Sequence, residues 1–300
     1  MRRTRSALLG LHVAVLLFGT AGLFAKFLTA PPLVIVIGRT FFAAFALAAW
    51  LLFGKARRQL PARDEMPLLG MLGVILALHW WTFFHAIRIS TVAVGLLGYA
   101  AFPMFVTIAE PILFKERFRW FDGITAAVIM VGLAAVAWPF DLNADRTWGL
   151  AWGIISGMLF ALLSLLNRRY VQRHSSIVIA CFQNGFACLA LLPALAWNVW
   201  HPTWGDLILL VLLGLFCTAL AHALYINSLS SVRVQLAGII AALEPVYGIV
   251  LAFILLGEIP NSSALLGGLL IVGTSCAAML RTAPHGAVRT RSPVDAQQER

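Results

Sequence analysis

Long apolar runs alternate with short polar segments along the chain as far as about residue 281. Each run has roughly the 20 residues that an α-helix needs to cross about 30 Å of hydrocarbon. The apolar residues are continuous within a run, whereas a transmembrane barrel would need segments of about ten alternating residues, so the pattern favours helices. The ten runs fall at residues 7–28, 31–53, 66–88, 92–114, 118–138, 147–167, 176–198, 205–228, 232–256 and 261–281. The pattern predicts an all-α membrane protein with ten transmembrane helices.

Two markers of the first half of the chain recur in the second half. Pro103 and Glu116 have counterparts in Pro245 and Glu258, in both cases 142 residues later. Because five spans per half is an odd number, the second half must cross the membrane in the opposite sense, as in transporters with inverted repeats. The sequence therefore predicts two inverted five-helix repeats, at residues 1–145 and 146–282, followed by a flexible polar tail at residues 283–300.

Composition and charge agree with a membrane protein. Hydrophobic residues make up 61% of the chain and charged residues 11%, with a mean hydropathy of +0.90, which excludes an ordinary soluble domain. The net charge of +10 alone would suggest a nucleic-acid partner, but 18 of the 22 Lys and Arg residues fall on one side of the predicted membrane. This positive-inside asymmetry predicts that both termini lie in the cytoplasm, and we expect a multi-pass protein of the bacterial inner membrane. The basic charge sets orientation in the lipid bilayer, and no nucleic-acid partner is expected.

The first apolar run has an alternative interpretation. An Arg-rich start followed by apolar residues is also typical of a secretory signal peptide. The length of the run and its place inside the repeat favour a first membrane helix.

The two repeated prolines lie near the middle of predicted helices 4 and 9. Proline has no N–H and clashes with the carbonyl four residues earlier, which is that of Tyr99 for Pro103 and that of Ala241 for Pro245. Such a kink at mid-membrane needs neighbouring groups or cavity water to satisfy the freed carbonyl. We predict that both prolines are hinges beside a binding region; a packing kink without a ligand is the alternative.

Short motifs around these markers resemble a known family. They are Phe-Pro-Met-Phe at residues 102–105, Phe-Lys-Glu-Arg at 114–117, Glu-Pro-Val-Tyr at 244–247 and Leu-Gly-Glu at 256–258. With ten spans in two halves, and with Arg39 and Ala-Ile at 86–87, they resemble EamA-type transporters of the drug/metabolite transporter (DMT) superfamily. The resemblance implies export of small metabolites. Tyr99, four residues before its proline, also resembles the aromatic cluster of YddG-type exporters of amino acids, although the spacing in Tyr-Ala-Ala-Phe-Pro differs.

Buried ionisable groups are the first candidates for a site, because a charge in hydrocarbon costs several kcal/mol unless it is paired or hydrated. His79, His222 and Glu244 lie deep in predicted spans and are expected to contact a substrate or to carry a proton. The alternative for each histidine is a hydrogen bond to a neighbouring backbone, and the alternative for Glu244 is a salt bridge to Arg39. Arg39 and Lys26, the two intramembrane bases, are expected to be structural.

Deep aromatic residues complete the predicted binding set. They lie on predicted helices 1, 3, 4, 6, 8 and 9 and would suit a ligand with an apolar or aromatic body. They are Phe18, Trp80, Phe83, Tyr99, Phe102, Phe160, Tyr225 and Tyr247.

Together these features predict an exporter of small organic metabolites that alternates access through a central cavity. Amino acids, including aromatic ones, are the favoured substrates; nucleosides, sugars and cationic compounds are alternatives. The carrier is expected to work as a monomer without cofactor, metal or catalytic residue. An intramembrane enzyme is the rival, but the sequence has no G-x-S-x-G, His-Glu-x-x-His or paired membrane aspartates. A channel would be expected to show a selectivity filter.

Overall fold

The computed structural model describes residues 2–53, 60–114, 120–198, 200–232, 234–241 and 243–282. Within these ranges the chain is helical and has no strand. Glu116 and the tail at residues 283–300 lie outside the described residues. The helices are α1 (Arg2–Phe27), α2 (Pro32–Phe53), α3 (Met66–Ile89), α4 (Val92–Tyr99), α5 (Phe102–Phe114), α6 (Trp120–Ala137), α7 (Asp145–Tyr170), α8 (Ser176–Leu191), α9 (Trp204–Gly214), α10 (Ala221–Ser228), α11 (Val234–Ala241), α12 (Glu244–Leu256) and α13 (Ser262–Thr282). Short 3₁₀ turns precede α3 and follow α8, and a π-helical segment, Leu215–Leu220, joins α9 to α10.

Each apolar run of the sequence is mainly helical where the structure describes it, with interruptions inside some runs. Over the described residues, seven helical segments are long and apolar enough to cross a membrane, and α4 with α5 and α9 with α10 each count as one of them. Shorter apolar helices lie at Gly123–Ala137, Glu244–Leu256 and Ser262–Thr274. The chain is therefore an all-helical, multi-pass membrane protein. The full set of ten spans in inverted halves remains a prediction.

The prolines do not kink continuous helices, so that prediction needs correction. α4 ends at Tyr99 and α5 begins at Phe102, while α11 ends at Ala241 and α12 begins at Glu244. Pro103 and Pro245 are thus the second residues of new helices, where a backbone N–H would have no intrahelical acceptor in any case. Each predicted kink is a break of the helix just before its proline.

The helices around the centre pack through a few dominant pairs. α3 packs on α7 and α8, α4 packs on α7 and α12, and α1 packs on α10 and α12. The α4–α7 contact is between backbones: a Cβ added at Gly157 would lie 2.6 Å from the carbonyl oxygen of Tyr99, and one at Gly153 would lie 2.8 Å from that of Gly95. Small residues permit this close approach. It holds the break between α4 and α5 against α7.

A charged tie joins the end of α1, the α3–α4 connection and the end of α12. Lys26 Nζ donates to the Ser90 carbonyl at 2.8 Å and lies 3.9 Å from Glu258 Oε1. Glu258 Oε2 accepts from Val92 N at 2.9 Å, which caps the N-terminus of α4. Lys26 thus connects three parts of the chain that are distant in sequence, and its purely structural role stays a prediction.

The start of α9 is tied to the α1–α2 connection by a buried carboxylate. Asp206 accepts hydrogen bonds from the backbone N–H and the hydroxyl of both Thr29 and Thr203, at 2.7 to 3.1 Å. The backbone N–H of Asp206 in turn donates to the Thr203 hydroxyl oxygen at 3.1 Å, which makes a capping box. At the other end of the bundle Arg168 pairs with Glu110.

Candidate functional site

A cavity lies at the centre of the bundle, where α1, α2, α3, α4, α7, α10 and α12 meet. The unfilled space among its side chains is about 370 Å³, including the space at its mouth. It is lined by Phe18, Ala21, Arg39, Leu76, His79, Trp80, Phe83, Tyr99, Phe160, His222 and Glu244. Eight of these residues belong to the binding set that the sequence predicts, and Arg39 is the base that was expected to be structural.

Phe160 of α7 is the centre of the aromatic wall. Its ring centroid lies 4.9 Å from that of His79, 5.0 Å from that of Phe102 and 5.1 Å from that of Tyr225. Tyr99 stacks on Phe102 with an interplanar angle of 9°. Phe102 and Tyr225 are thus a second layer that supports the lining rings. Edge-to-face and offset contacts of this kind hold each ring in a defined position.

Glu244 is the acidic group of the cavity. It is the first residue of α12 and only 3% exposed. The helix begins here because its first turn carries Pro245, and the N-terminal end of a helix favours a negative charge. Tyr99, the last residue of α4, lines the same cavity. Residues beside both helix breaks therefore border the cavity.

Arg39 of α2 is the basic group, and it does not pair with Glu244. The two side chains form no ion pair within 4.0 Å, so the salt bridge considered above is absent. Arg39 Nε donates to the Thr218 hydroxyl at 2.9 Å and an Nη donates to the Cys217 carbonyl at 3.2 Å. The guanidinium carbon lies 4.0 Å from the centroid of the Trp80 ring, a cation–π contact.

The π-helical segment, Leu215–Leu220, provides the hydrogen-bond acceptors for Arg39 of α2. In a π-helical turn the regular i→i+4 ladder is interrupted, and such turns occur often at functional sites. The Cys217 carbonyl lies in this turn and accepts from the buried guanidinium. The Thr218 hydroxyl donates to the Leu213 carbonyl at 2.7 Å and so can accept from Arg39. The segment therefore supplies both hydrogen bonds of Arg39.

His79 of α3 is tied to α7. Its Nδ1 lies 3.0 Å from the Ser156 carbonyl and 2.8 Å from the Ser156 hydroxyl, and that hydroxyl donates to the His79 carbonyl at 3.0 Å. Because the Ser156 hydroxyl proton is donated to the His79 carbonyl, both oxygens near Nδ1 act as acceptors. Nδ1 therefore carries the imidazole proton, and Nε2 is the acceptor of the ring. Ser156 is fully buried between the two helices and does not line the cavity. The pair is a helix–helix tie and lacks the exposed nucleophile of a hydrolytic site.

His222 of α10 faces Trp80, with ring centroids 5.8 Å apart. Its Nδ1 lies 3.4 Å from Nδ2 of Asn184 on α8. Its Nε2 is buried and has no hydrogen-bond partner among the described residues. The cavity thus has a basic side with Arg39 and His222 around Trp80, and an acidic side with Glu244 and Tyr99.

One predicted site residue lies away from the cavity. Tyr247 is half-buried and packs against the backbone of α1 near Gly19. It is one turn beyond Glu244, on a part of α12 that faces α1 rather than the cavity lining. The sequence indicates how deep Tyr247 lies in the membrane, but depth alone does not show whether its side chain faces the cavity.

Sequence reasoning missed the neutral polar residues that position the site. These are Ser156, Asn184 and Thr218, all fully buried. A search restricted to ionisable residues overlooks them. The available signal was a hydroxyl or amide inside a long apolar run, where the group must be hydrogen-bonded to be tolerated.

Comparisons with known proteins give a consistent family. The model of the EamA-like transporter family matches residues 5–138 and again residues 147–280. The two matches begin at residues 5 and 147, an offset of 142, which is the same offset as that of the proline and glutamate markers. An uncharacterised transporter of Archaeoglobus fulgidus is 26% identical over 87% of this chain and 91% of the relative.

Two other relatives have named solutes. An S-adenosylmethionine uptake transporter of Rickettsia bellii is 24% identical over 78% of this chain and 79% of the relative. The pseudopaline exporter CntI of Pseudomonas aeruginosa is 25% identical over 85% of this chain and 88% of the relative. A protein of known crystal structure has the same fold, with a TM-score of 0.71, 22% identity and coverage of 95% of this chain and all of that one.

Proposed function

This chain belongs to the EamA-like transporter family, and from that membership we propose that it carries a small zwitterionic solute through the central cavity. Amino acids with an apolar or aromatic side chain are the favoured class. The chain is a membrane transporter of the DMT superfamily; the solute and the path are the proposed part. Assignment to the YddG-type exporters stays a prediction.

The observation that carries this proposal is Glu244 in an aromatic-walled cavity. A carboxylate removed from water loses several kcal/mol of solvation unless another group compensates it. Arg39 is engaged elsewhere and forms no ion pair with Glu244. The ammonium group of an amino acid would supply the missing charge, and the rings of Phe18, Phe83 and Phe160 would contact its apolar body.

Alternating access is supported by the breaks in the two repeat-related segments. The loss of helix between α4 and α5 and between α11 and α12 leaves two positions where short helices can change angle. In transporters with inverted repeats, discontinuous helices of this kind form the binding site near the membrane midplane. We expect the solute to bind beside these breaks while the two halves rock around it.

Direction and orientation stay predictions. Export was predicted from the family resemblance, but the named relatives include both an uptake transporter and an exporter. The basic segments predict cytoplasmic termini in a bacterial inner membrane. Function as a monomer and coupling to protons through Glu244, His79 or His222 are further hypotheses. Equal flux with and without a pH gradient would contradict the coupling.

Counterflow in proteoliposomes tests the proposed function. Purified protein is reconstituted with unlabelled L-phenylalanine inside and a trace of labelled L-phenylalanine outside. We expect transient accumulation of label, and a loss of at least about tenfold in Glu244→Gln because the charge partner of the ammonium is removed. Glu65→Gln, at a carboxylate that pairs with His174 outside the cavity, is the matched control. Saturating signals with nucleosides or sugars and none with amino acids would overturn the proposal.

A second candidate solute class is an organic cation. Glu244 and Tyr99 among aromatic rings would suit one. The guanidinium of Arg39, in the wall of the same cavity, opposes it. Counterflow of phenethylamine beside that of L-phenylalanine separates the two classes.

A further inference from the structure

The hydrogen bonds of Asn184 determine which nitrogen of His222 carries the proton. Nδ2 of Asn184 donates to the Ala180 carbonyl at 2.8 Å, and because a carbonyl can only accept, the orientation of this amide is fixed. The same Nδ2 lies 3.4 Å from His222 Nδ1. Since an amide nitrogen only donates, Nδ1 must accept. In the neutral ring the proton is therefore on Nε2.

That Nε2–H group is a buried donor without an acceptor. His222 is 1% exposed, and its Nε2 is without a hydrogen-bond partner in the described part of the chain. A buried donor left unpaired is destabilising because it loses its hydrogen bonds to water, and in native proteins such groups are uncommon enough to require an explanation. His222 lines the central cavity. A bound molecule with an acceptor atom would supply the missing partner.

The charges around His222 indicate what kind of acceptor this is. Arg39 lies over the face of Trp80, and the His222 ring stands edge-on to the same indole. Both groups therefore border one side of the cavity, and the guanidinium makes that side attractive to an anionic oxygen. Glu244 also lines the cavity but forms no hydrogen bond or ion pair with Arg39, whose hydrogen bonds go to Thr218 and Cys217. A carboxylate would be attracted to the Trp80 side and repelled by Glu244.

We propose that His222 donates a hydrogen bond from Nε2 to a carboxylate oxygen of the solute, and that Asn184 holds the ring in the required tautomer. The inference rests on the proposed function and deepens it, because it orients the amino acid. The carboxylate lies beside Trp80 and the ammonium lies toward Glu244. Asn184 is a positioning residue, since it acts only through His222.

A comparison of two ligands tests the carboxylate contact. The affinities of L-phenylalanine and of phenethylamine, which lacks only the carboxylate, are measured on the full-length detergent-solubilised protein by calorimetry. We expect the wild type to bind L-phenylalanine about 10- to 100-fold more tightly than phenethylamine, as for a hydrogen bond to a charged group. His222→Asn is expected to reduce this preference about tenfold, because its shorter amide does not reach the position of Nε2; the charge of Arg39 would account for what remains. His222→Gln, whose amide nitrogen approximates Nε2, is expected to retain most of it.

The controls separate the possible outcomes. His85→Asn changes a histidine that stacks on Trp81 outside the cavity lining, and it is expected to behave as the wild type. Equal wild-type affinities for the two ligands would overturn the inference even if no variant folds. An unchanged preference in His222→Asn would also overturn it and would assign the carboxylate to Arg39. Wild-type protein that binds neither ligand would overturn the proposed function and the inference with it.

The tautomer is tested by spectroscopy. Protein labelled with ¹⁵N-histidine is compared with its His222→Gln variant to assign the His222 ring signals. We expect a protonated Nε2 and an unprotonated Nδ1 in the wild type, and a mixture of tautomers in Asn184→Leu together with a reduced preference for L-phenylalanine. A purely structural role of Asn184 would leave the tautomer unchanged. A wild-type ring protonated on Nδ1 would refute the positioning role.

Discussion

Substitution of Gly157 by alanine perturbs the site through the backbone alone. A Cβ at this position would lie 2.6 Å from the Tyr99 carbonyl oxygen and 3.2 Å from the Phe102 nitrogen. Both atoms belong to the break between α4 and α5, so no side chain can rotate away to make room. Either α7 or the break must move. Movement of α7 would separate two packed helices, and movement of the break would displace Tyr99, which lines the cavity, and Phe102, which supports it.

The expected cost follows from two opposing terms. Insertion of one carbon into a tightly packed contact costs about 1–3 kcal/mol. Replacement of glycine by alanine within a helix returns at most about 1 kcal/mol of helix propensity. The net loss is therefore on the order of 1–2 kcal/mol, which corresponds to a fall in melting temperature of about 2–3 °C for a chain of this size.

Gly185→Ala is the matched control because a Cβ there has no heavy atom within 4 Å. Only the propensity term applies, so its melting temperature is expected to stay the same or rise. Both variants are measured in one detergent by tryptophan fluorescence, and counterflow of L-phenylalanine is measured in parallel. We expect Gly157→Ala to lose flux and Gly185→Ala to keep it. Similar melting temperatures and fluxes in the two variants would refute the close α4–α7 contact.

Three further substitutions probe the charged residues, each read out by thermal melting in detergent. Arg39→Lys is expected to cost about 1–3 kcal/mol, because an ammonium group cannot keep the guanidinium hydrogen bonds while lying flat on Trp80; wild-type stability would contradict this geometry. Lys26→Met is expected to cost less than about 1 kcal/mol, since its ion pair with Glu258 is long and partly exposed, and a loss above about 3 kcal/mol would show that this tie matters more than its exposure implies. Asp206→Ala removes four hydrogen bonds to a buried carboxylate and is expected to cost about 2–5 kcal/mol of stability. A stability change below about 0.5 kcal/mol would contradict these hydrogen bonds.

The apolar pattern was sufficient to predict an all-helical, multi-pass chain, because burial in lipid leaves a backbone no alternative to helical hydrogen bonds. It was insufficient for their interruptions. Pro103 predicts a disturbance near Tyr99, but a kinked helix and a broken one have the same sequence signature. The neighbouring helix decides between them. Here Gly153 and Gly157 let α7 approach the backbone of the break.

The ionisable groups of the site could be predicted, while their partners could not. A buried charge is conspicuous in an apolar run, so Arg39 and Glu244 were obvious candidates for one another. The structure gives Arg39 different partners because the π-helical segment offers a backbone carbonyl and the Thr218 hydroxyl. No periodicity in the sequence marks that segment. Which acceptor a buried guanidinium finds depends on three-dimensional packing, which a single sequence does not encode in any local pattern.

The contacts at the centre of the cavity support the two-repeat interpretation and limit how the carrier can move. Phe18 and Phe160 are 142 residues apart and their ring centroids lie 6.2 Å apart; Trp80 and His222 have the same separation in sequence and lie 5.8 Å apart. Two residues that a two-fold operation exchanges can touch only near its axis. The cavity therefore lies where the axis would pass, and an exchange of roles between the repeats would leave these contacts in place. Glu244 breaks this symmetry, because its counterpart is Phe102. In the proposed inverted-repeat carrier, a symmetric frame would present its opening to either side, and Glu244, always on the same side of the cavity, would keep the solute in one orientation.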